Sequence, residues 1–319
     1  MGTADTEGTK ATKGTMGTAA MTGAGKDDKR VVVVVSGGPE GPEGPSPRVH
    51  PSGEPLLLAD DLGAVRGDGC FETLLLVRGH PAKPERHLAR LSRSAAALGL
   101  NGPSAEQWRA GIELAAGEWG PDSEAMLRLV LSRGPERGGV ETAYITVAPV
   151  SDFARRARAE GIAVTALNRG YASDVADSAP WLLLGAKTLS YASNMAALRH
   201  AEAGGFADVI YLSSDGEVLE GPRSTVAIAR DGVLLSPPTE VGILEGTTFG
   251  AMCEVAEKEG VPVRHERLLL TDLLAADAVW LLSSVTLCAR VRRIDDVQLP
   301  TGTVGIDAAA MIDRAVGRV

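Results

Sequence analysis

Only two lysines, Lys187 and Lys258, occur between residues 151 and 319. Lys258 sits among Glu254, Glu257 and Glu259 and reads as the solvated face of a helix. Lys187 follows Trp-Leu-Leu-Leu-Gly-Ala, so the sequence predicts that it emerges from a buried strand, Trp181–Leu184. Removing an amine from water lowers its pKa and makes it usable as a nucleophile and a base. Taken alone, such a lysine is better read as a structural one whose head group snorkels out. Its surroundings argue for chemistry. Thirty-three residues on, Val218-Leu-Glu-Gly-Pro-Arg-Ser-Thr puts one carboxylate, Glu220, at a junction of strand and loop. Gly242-Ile-Leu-Glu-Gly-Thr-Thr-Phe-Gly follows, and Gly246, Thr247 and Thr248 open a predicted helix. Backbone N–H groups and hydroxyls at a helix N-terminus can hold an anion, although an ordinary N-cap is the default for that segment by itself. Ser283-Ser284 ends a later apolar strand, and Arg90 lies on a helix early in the chain.

The elements that must position these residues become regular from about residue 54. Leu56–Leu58, Gly69–Val77, Met126–Ser132, Glu141–Pro149 and Gly161–Leu167 read as strands, as does Val31–Val35 near the start. Pro84–Leu98 carries Leu88, Leu91, Ala95 and Leu98 on one helical face. A second helix opens at Ser104 with the capping box Ser104-x-x-Gln107 and runs to about Gly117. Later come helix Ala192–Ala203, strand Asp208–Leu212, the pair Thr225–Ala229 and Gly232–Leu235, and helix Thr248–Glu259. Strand Val261–His265, a short helix Thr271–Ala276, strand Ala278–Ser283 and a last helix from about Ile306 complete the chain. The order predicts an α+β protein with a disordered tail at 1–30, a small N-terminal domain at 31–155 and a larger C-terminal domain at 156–319. Gly38–Ser46 contains three Gly-Pro-X triplets, too few for a collagen helix, and reads as a flexible loop.

Composition narrows the function. With 44% hydrophobic and 23% charged residues, the 319-residue chain is globular, and no apolar run approaches the ~20 residues that span a bilayer. A formal charge of −9 speaks against a nucleic-acid partner held through phosphates. The tail lacks the apolar stretch of a secretory signal. Cys70, Cys253 and Cys288 are odd in number and far apart, which fits a reducing, cytoplasmic setting. That setting makes the adhesion-type tripeptide Arg66-Gly67-Asp68 a remote reading. The five histidines form no ligand-spaced cluster, so no metal is expected.

Five motifs then occur in order: Arg66-Gly-Asp-Gly-Cys-Phe-Glu-Thr73, Arg86-His-Leu-Ala-Arg-Leu91, Lys187-Thr-Leu-Ser-Tyr-Ala-Ser-Asn-Met-Ala-Ala197, Leu219-Glu-Gly-Pro-Arg-Ser224 and Gly242–Thr248. Together, over roughly residues 54–300, they closely resemble the fold-type IV pyridoxal-phosphate enzymes. These include branched-chain and D-amino-acid aminotransferases and aminodeoxychorismate lyases, and the wording is most like the lyases.

The resemblance implies the following roles. Lys187 would carry pyridoxal 5'-phosphate covalently and, once released, shuttle a proton. Glu220 would face the pyridine nitrogen and keep it protonated. Arg90, Gly246, Thr247, Thr248 and the Ser284 region would hold the phosphate, with the choice among Ser283, Ser284 and Thr286 left open. Tyr191 either sits near the ring hydroxyl or packs. Arg128 points away from its apolar neighbours and either grips a substrate carboxylate or faces solvent. Phe71 and Glu72 would line or support the pocket wall. Many relatives carry Ser-Asn where this chain has Ser224-Thr225, which alters the loop's hydrogen bonding while Ser224 can still contribute. The implied activity is removal of pyruvate from 4-amino-4-deoxychorismate to give the folate precursor 4-aminobenzoate. The nearest rival is transamination of branched-chain or D-amino acids, and a non-catalytic binder is the third reading. The resemblance also implies a homodimer.

Overall fold

The computed structural model describes residues 29–37 and 47–319. Residues 1–28 of the expected tail and the Gly-Pro loop at 38–46 lie outside the described residues. Lys29, expected in the tail, is engaged: its amine donates to the Trp119 carbonyl at 2.6 Å and lies 5.2 Å from that ring's centre.

The first part of the chain forms β1 (Val31–Ser36), β2 (Arg48–His50), α1 (Leu62–Val65), β3 (Gly69–Val77) and β4 (His80–Pro81). α2 (Pro84–Ala97), α3 (Ala105–Trp119), β5 (Ala125–Ser132) and β6 (Thr142–Pro149) follow. The strands make one antiparallel sheet in the order β2-β1-β6-β5-β3-β4. Alternation along its strands sets Leu74, Leu76, Leu127, Leu129, Leu131 and Ile145 on the face covered by α2 and α3. The other face carries Phe71, Thr73, Arg128 and Thr146, all half-buried, with Thr73, Arg128 and Thr146 side by side in register. Ser104 and Gln107 form the expected capping box on α3.

The second part comprises α4 (Asp152–Glu160), β7 (Ile162–Asn168), α5 (Ala192–Ala203), β8 (Asp208–Leu212), β9 (Thr225–Arg230) and β10 (Val233–Ser236). Next are α6 (Thr247–Lys258), β11 (Val263–His265), α7 (Leu270–Leu274) and β12 (Ala278–Ser283), then β13 (Leu287–Ile294), β14 (Val297–Gln298) and α8 (Ala308–Val316). Their mixed sheet runs β11-β10-β9-β12-β13-β7-β8, with β14 on β13. One face packs Trp280, Leu282 and Ala227 against Phe249 and Met252 of α6 and Met311 and Ile312 of α8. The same cluster takes in Leu75 and Val77 from β3, so the two sheets share apolar contacts. The opposite face packs Ile228, Val279 and Leu281 with Ala157 of α4 and Leu273 of α7.

Two expected strands are absent. Leu56–Leu58 is irregular, and Leu58 is half exposed. Trp181–Leu184 is not a strand: Pro180–Leu182 is a 3-10 turn, Leu183 is left-handed at φ +53°, and Trp181 is 75% exposed. Pro180 and Gly185 bracket an apolar run too short to pair, and Gly185 itself takes φ +77°. Lys187 therefore does not emerge from a buried strand.

Candidate active site

Lys187 is held from the first sheet instead. Its carbonyl accepts from the Phe71 N–H at 3.0 Å, its own N–H donates to Ser94 Oγ at 3.0 Å, and Leu189 N–H donates to the Gly69 carbonyl at 2.8 Å. The segment thus lies along the start of β3, with Thr188 opposite Cys70. The Arg66-Gly-Asp-Gly motif makes this approach possible. Gly67, at φ +69°, sits where a Cβ would come within 2.9 Å of the Ser190 backbone. Asp68 pairs with Arg133 at 2.7 Å and Arg66 with Glu136 at 3.1 Å, so the adhesion-like tripeptide is spent on local structure.

The Lys187 amine lies 4.6 Å from the centre of the Phe71 ring and 5.9 Å from that of Tyr191. Burial, reinforced by the nearby Arg90 charge, holds its pKa down at about 8. Glu220 shows the opposite change. Burial raises its carboxyl to about 7, against the Leu244 N–H that donates to it at 3.2 Å and the attraction of Lys187. Each is among the charges that act on the other. Glu220 is fixed by its main chain: Tyr211 N–H donates to the Glu220 carbonyl and Leu219 N–H to the Tyr211 carbonyl, both at 2.9 Å.

Arg90 is buried at 5% exposure. Its Nε and Nη2 grip both oxygens of Glu72 at 2.6 and 2.8 Å, and its Nη1 donates to the Glu245 carbonyl at 2.7 Å. Glu245 immediately precedes Gly246, the N-cap of α6, so Arg90 stands beside that helix start. Glu72 is fully buried and also meets His87 Nδ1 at 2.7 Å. Burial pushes the Glu72 carboxyl up, but the charge and hydrogen bonds of Arg90 prevail and hold it down at about 2. A guanidinium has five N–H donors, and three of these contacts leave two free.

No side chain caps α6. Thr247 and Thr248 are buried in its first turn, and Thr247 Oγ1 lies 3.3 Å from Ser284 Oγ. Ser283 Oγ instead accepts from the Thr286 N–H at 3.2 Å, so Ser284 is the hydroxyl beside the helix start. Gly246 is required by crowding: a Cβ there would meet Thr225 Oγ1 at 2.2 Å. Ser224 Oγ is buried without a hydrogen-bond partner.

Tyr191 packs edge-on against Phe71, with ring centres 5.4 Å apart, and its hydroxyl donates to the Pro222 carbonyl at 2.6 Å. Burial raises that phenol to about 12. Arg128 lies 5.8 Å from the Phe71 ring centre on the half-buried sheet face, and its Nε is buried without a partner. It is therefore not an ordinary solvent-facing residue. Sequence reasoning did not single out Ser94, His87, Arg169, Asn194 or Leu244. Glu72 did carry a signal, as the only charge within the apolar strand Gly69–Val77. Among the described residues, no group of three or more His, Cys, Asp or Glu is placed to hold a metal ion, and no helix is long and apolar enough to cross a membrane.

The class IV aminotransferase family profile matches residues 69–294. The chain belongs to that family. It is 46% identical over 273 residues to a bifunctional aminodeoxychorismate lyase and D-amino acid transaminase of Mycobacterium tuberculosis, covering 83% of this chain and 94% of the relative. A hypothetical aminotransferase of Mycobacterium tuberculosis, solved in a PLP-bound form, superposes with a TM-score of 0.84 at 44% identity, covering 90% of this chain and 99% of the other. A fold IV-transaminase from Curtobacterium pusillum superposes with a TM-score of 0.82 at 38% identity, covering 91% and 98%. The fold is that of the fold-type IV enzymes, as the motifs led us to expect.

Proposed function

We propose that this class IV enzyme, whose cofactor is pyridoxal 5'-phosphate, is an aminodeoxychorismate lyase that also transfers amino groups from D-amino acids. The observation that carries the reading is a buried lysine amine near pKa 8 and a buried carboxyl near 7, each acting on the other's charge, together with a helix start that has no side-chain cap. The donor set fits a phosphorylated pyridine aldehyde: an amine, a carboxyl for the ring nitrogen, the unpartnered Ser224 hydroxyl, and the α6 N-terminus for the phosphate. When bound, that cofactor supplies an electron-withdrawing ring that spreads the negative charge left by a departing proton.

In this reading Lys187 binds the cofactor and moves the proton at its Nζ. Glu220 keeps the ring nitrogen protonated. Arg90, Gly246, Thr247, Thr248 and Ser284 hold the phosphate, with Glu72 keeping Arg90 in place. Arg128, with its unpartnered Nε beside Phe71, receives a substrate carboxylate. For the lyase, Lys187 removes the proton on the amine-bearing carbon, the ether C–O bond breaks, and the ring becomes aromatic. The released enolate takes up a proton at its methylene carbon and becomes pyruvate. The bifunctional relative at 46% identity supports carrying both reactions. We further propose a cytoplasmic homodimer built from a small domain at 31–155 and a cofactor-binding domain at 156–319.

Purified protein given 4-amino-4-deoxychorismate is expected to release pyruvate and 4-aminobenzoate in equal amounts. Given a D-amino acid alone, it should convert its cofactor to the pyridoxamine form. Absence of pyruvate in the first assay would remove the lyase activity. Borohydride reduction and peptide mapping should find the pyridoxyl adduct on Lys187, and its absence there would remove the cofactor assignment.

A further inference from the structure

The side chains that follow Lys187 close a ring with the loop that follows Glu220. Gly221–Ser224 is a tight turn: Ser224 N–H donates to the Gly221 carbonyl at 3.4 Å, Gly221 N–H donates back to the Ser224 carbonyl at 2.8 Å, and Pro222 occupies the second position that proline favours. The Pro222 carbonyl faces α5 and accepts twice, from the Tyr191 hydroxyl at 2.6 Å and from Asn194 Nδ2 at 3.1 Å. A carbonyl has two lone pairs, so it is saturated. The Asn194 amide has one consistent orientation, because Pro222 offers only an acceptor and Nδ2 must face it. Asn194 Oδ1 then accepts from the Tyr211 hydroxyl at 3.1 Å. Tyr211 lies on β8, and its backbone exchanges the two hydrogen bonds that flank Glu220. The Arg169 guanidinium sits 4.5 Å from the centre of the Tyr211 ring. The circuit runs from Tyr191 to Pro222, back along the chain to Glu220, across to Tyr211, and through Asn194 to α5.

We propose that Tyr191 and Asn194 are positioning residues that set the distance and orientation between the Lys187 amine and the Glu220 carboxyl through the Pro222 carbonyl. Lys187 is anchored to the first sheet through Phe71 and to α2 through Ser94, whereas the Glu220 backbone pairs with β8 of the second sheet. The circuit gives the two groups a shared fixed point. It rests on the cofactor reading above and assigns the Tyr191 hydroxyl to the protein backbone, not to the cofactor ring.

Tyr191→Phe keeps the edge contact with Phe71 and deletes only the hydroxyl. Asn194→Ser shortens the second donor, and Tyr211→Phe removes the third link. Each is expected to shift the pH midpoint at which the visible band of the bound cofactor changes, by about half a pH unit or more. Each should lower kcat by about tenfold with KM little changed, since small misplacements near reacting atoms are amplified in rate. The Tyr191→Phe/Asn194→Ser pair should cost less than the two singles combined, because both act on one acceptor. Variants that bind cofactor with the parent's pH midpoint and kcat, and differ only in melting temperature, overturn the proposal. Should Tyr191→Phe not fold, Asn194→Ser and Tyr211→Phe give the same readout. A parent protein with no visible cofactor band would instead overturn the function reading.

Discussion

Lys187 and Glu220 depart from their ordinary pKa values for one reason: each would carry a charge in a space with little water. The consequence for stability has opposite signs. Glu220 in the folded chain titrates at about 7 against an ordinary value of 4.5, so its contribution is fully present below 4.5, declines as pH rises, and is gone above 7. In cofactor-free protein this is worth about 3 kcal/mol across that window. Lys187, lowered from 10.5 to about 8, loses its contribution as pH falls through 8. Glu220→Gln therefore should flatten the pH dependence between 5 and 7 measured by thermal melting of the cofactor-free chain. An unchanged slope would mean that the carboxyl is already ionised in the fold. Under the proposed role of Glu220 the same variant would lose ring protonation, so activity should fall by about a hundredfold or more. Glu72 has the other sign: held at about 2, it stabilises above 4.5 and its contribution is lost as pH falls toward 2. Glu72→Gln leaves Arg90 buried with half its partners, which should cost about 3–5 kcal/mol in denaturant unfolding and weaken cofactor retention. Lys187 and Glu220 could be found in the sequence because an isolated lysine and a carboxylate amid apolar residues are visible one by one. Leu244 and Ser94 could not, since they act through a backbone N–H and a hydroxyl that any loop or helix carries.

At the scale of elements, α6 does most for the site by starting where it does. Gly246 has a Cβ-sized space already filled by Thr225 Oγ1 at 2.2 Å and Thr225 Cβ at 3.2 Å. Gly246→Ala must push β9 and the helix start apart, and the expected result is cofactor affinity about tenfold weaker by fluorescence titration. Thr225→Ala removes the closer of the two contacts, so the double variant should regain much of that loss. Failure of this rescue would place the cost in the Thr225 Cβ contact at 3.2 Å that remains, since the Gly246 φ of −74° is one any residue can adopt. Thr225 is thus the residue that forms this wall of the helix start. The long periodic elements were legible: α2, α5, β3, β8 and β12 fall within a residue of their expected limits. β13 was not, because Leu-Cys-Ala-Arg-Val-Arg-Arg-Ile mixes three arginines into a strand. Arg290 stays in it by lying 5.4 Å from the Trp280 ring centre. α4 was missed because only Ala154 and Ala157 are buried on it. Trp181–Leu184 misled for the converse reason, since hydrophobicity without a partner strand does not make a strand.

At the scale of the whole molecule, three of the exposed large apolar side chains lie close to Lys187 in sequence. Trp181, Leu182 and Met195, at 75, 45 and 43% exposed, flank Lys187 within eight residues on either side. Trp181 alone presents an area whose burial would be worth several kcal/mol at about 25 cal/mol per Å². Water contact at so large a ring is unfavourable, and an apolar patch beside a site is a common mark of an interface. Under the homodimer proposal these residues are covered by the second copy. Trp181→Asp then puts a charge into the interface and should yield monomers in light scattering at micromolar concentration. Its far-UV circular dichroism should stay like the parent's, because the turn at Pro180–Leu182 packs no core residue. If Trp181→Asp remains a dimer with unchanged dissociation, the second copy does not sit there. Loss of activity in a folded monomer would show in addition that the Lys187 segment depends on the partner for its closure, whereas full activity would show a site complete within one chain.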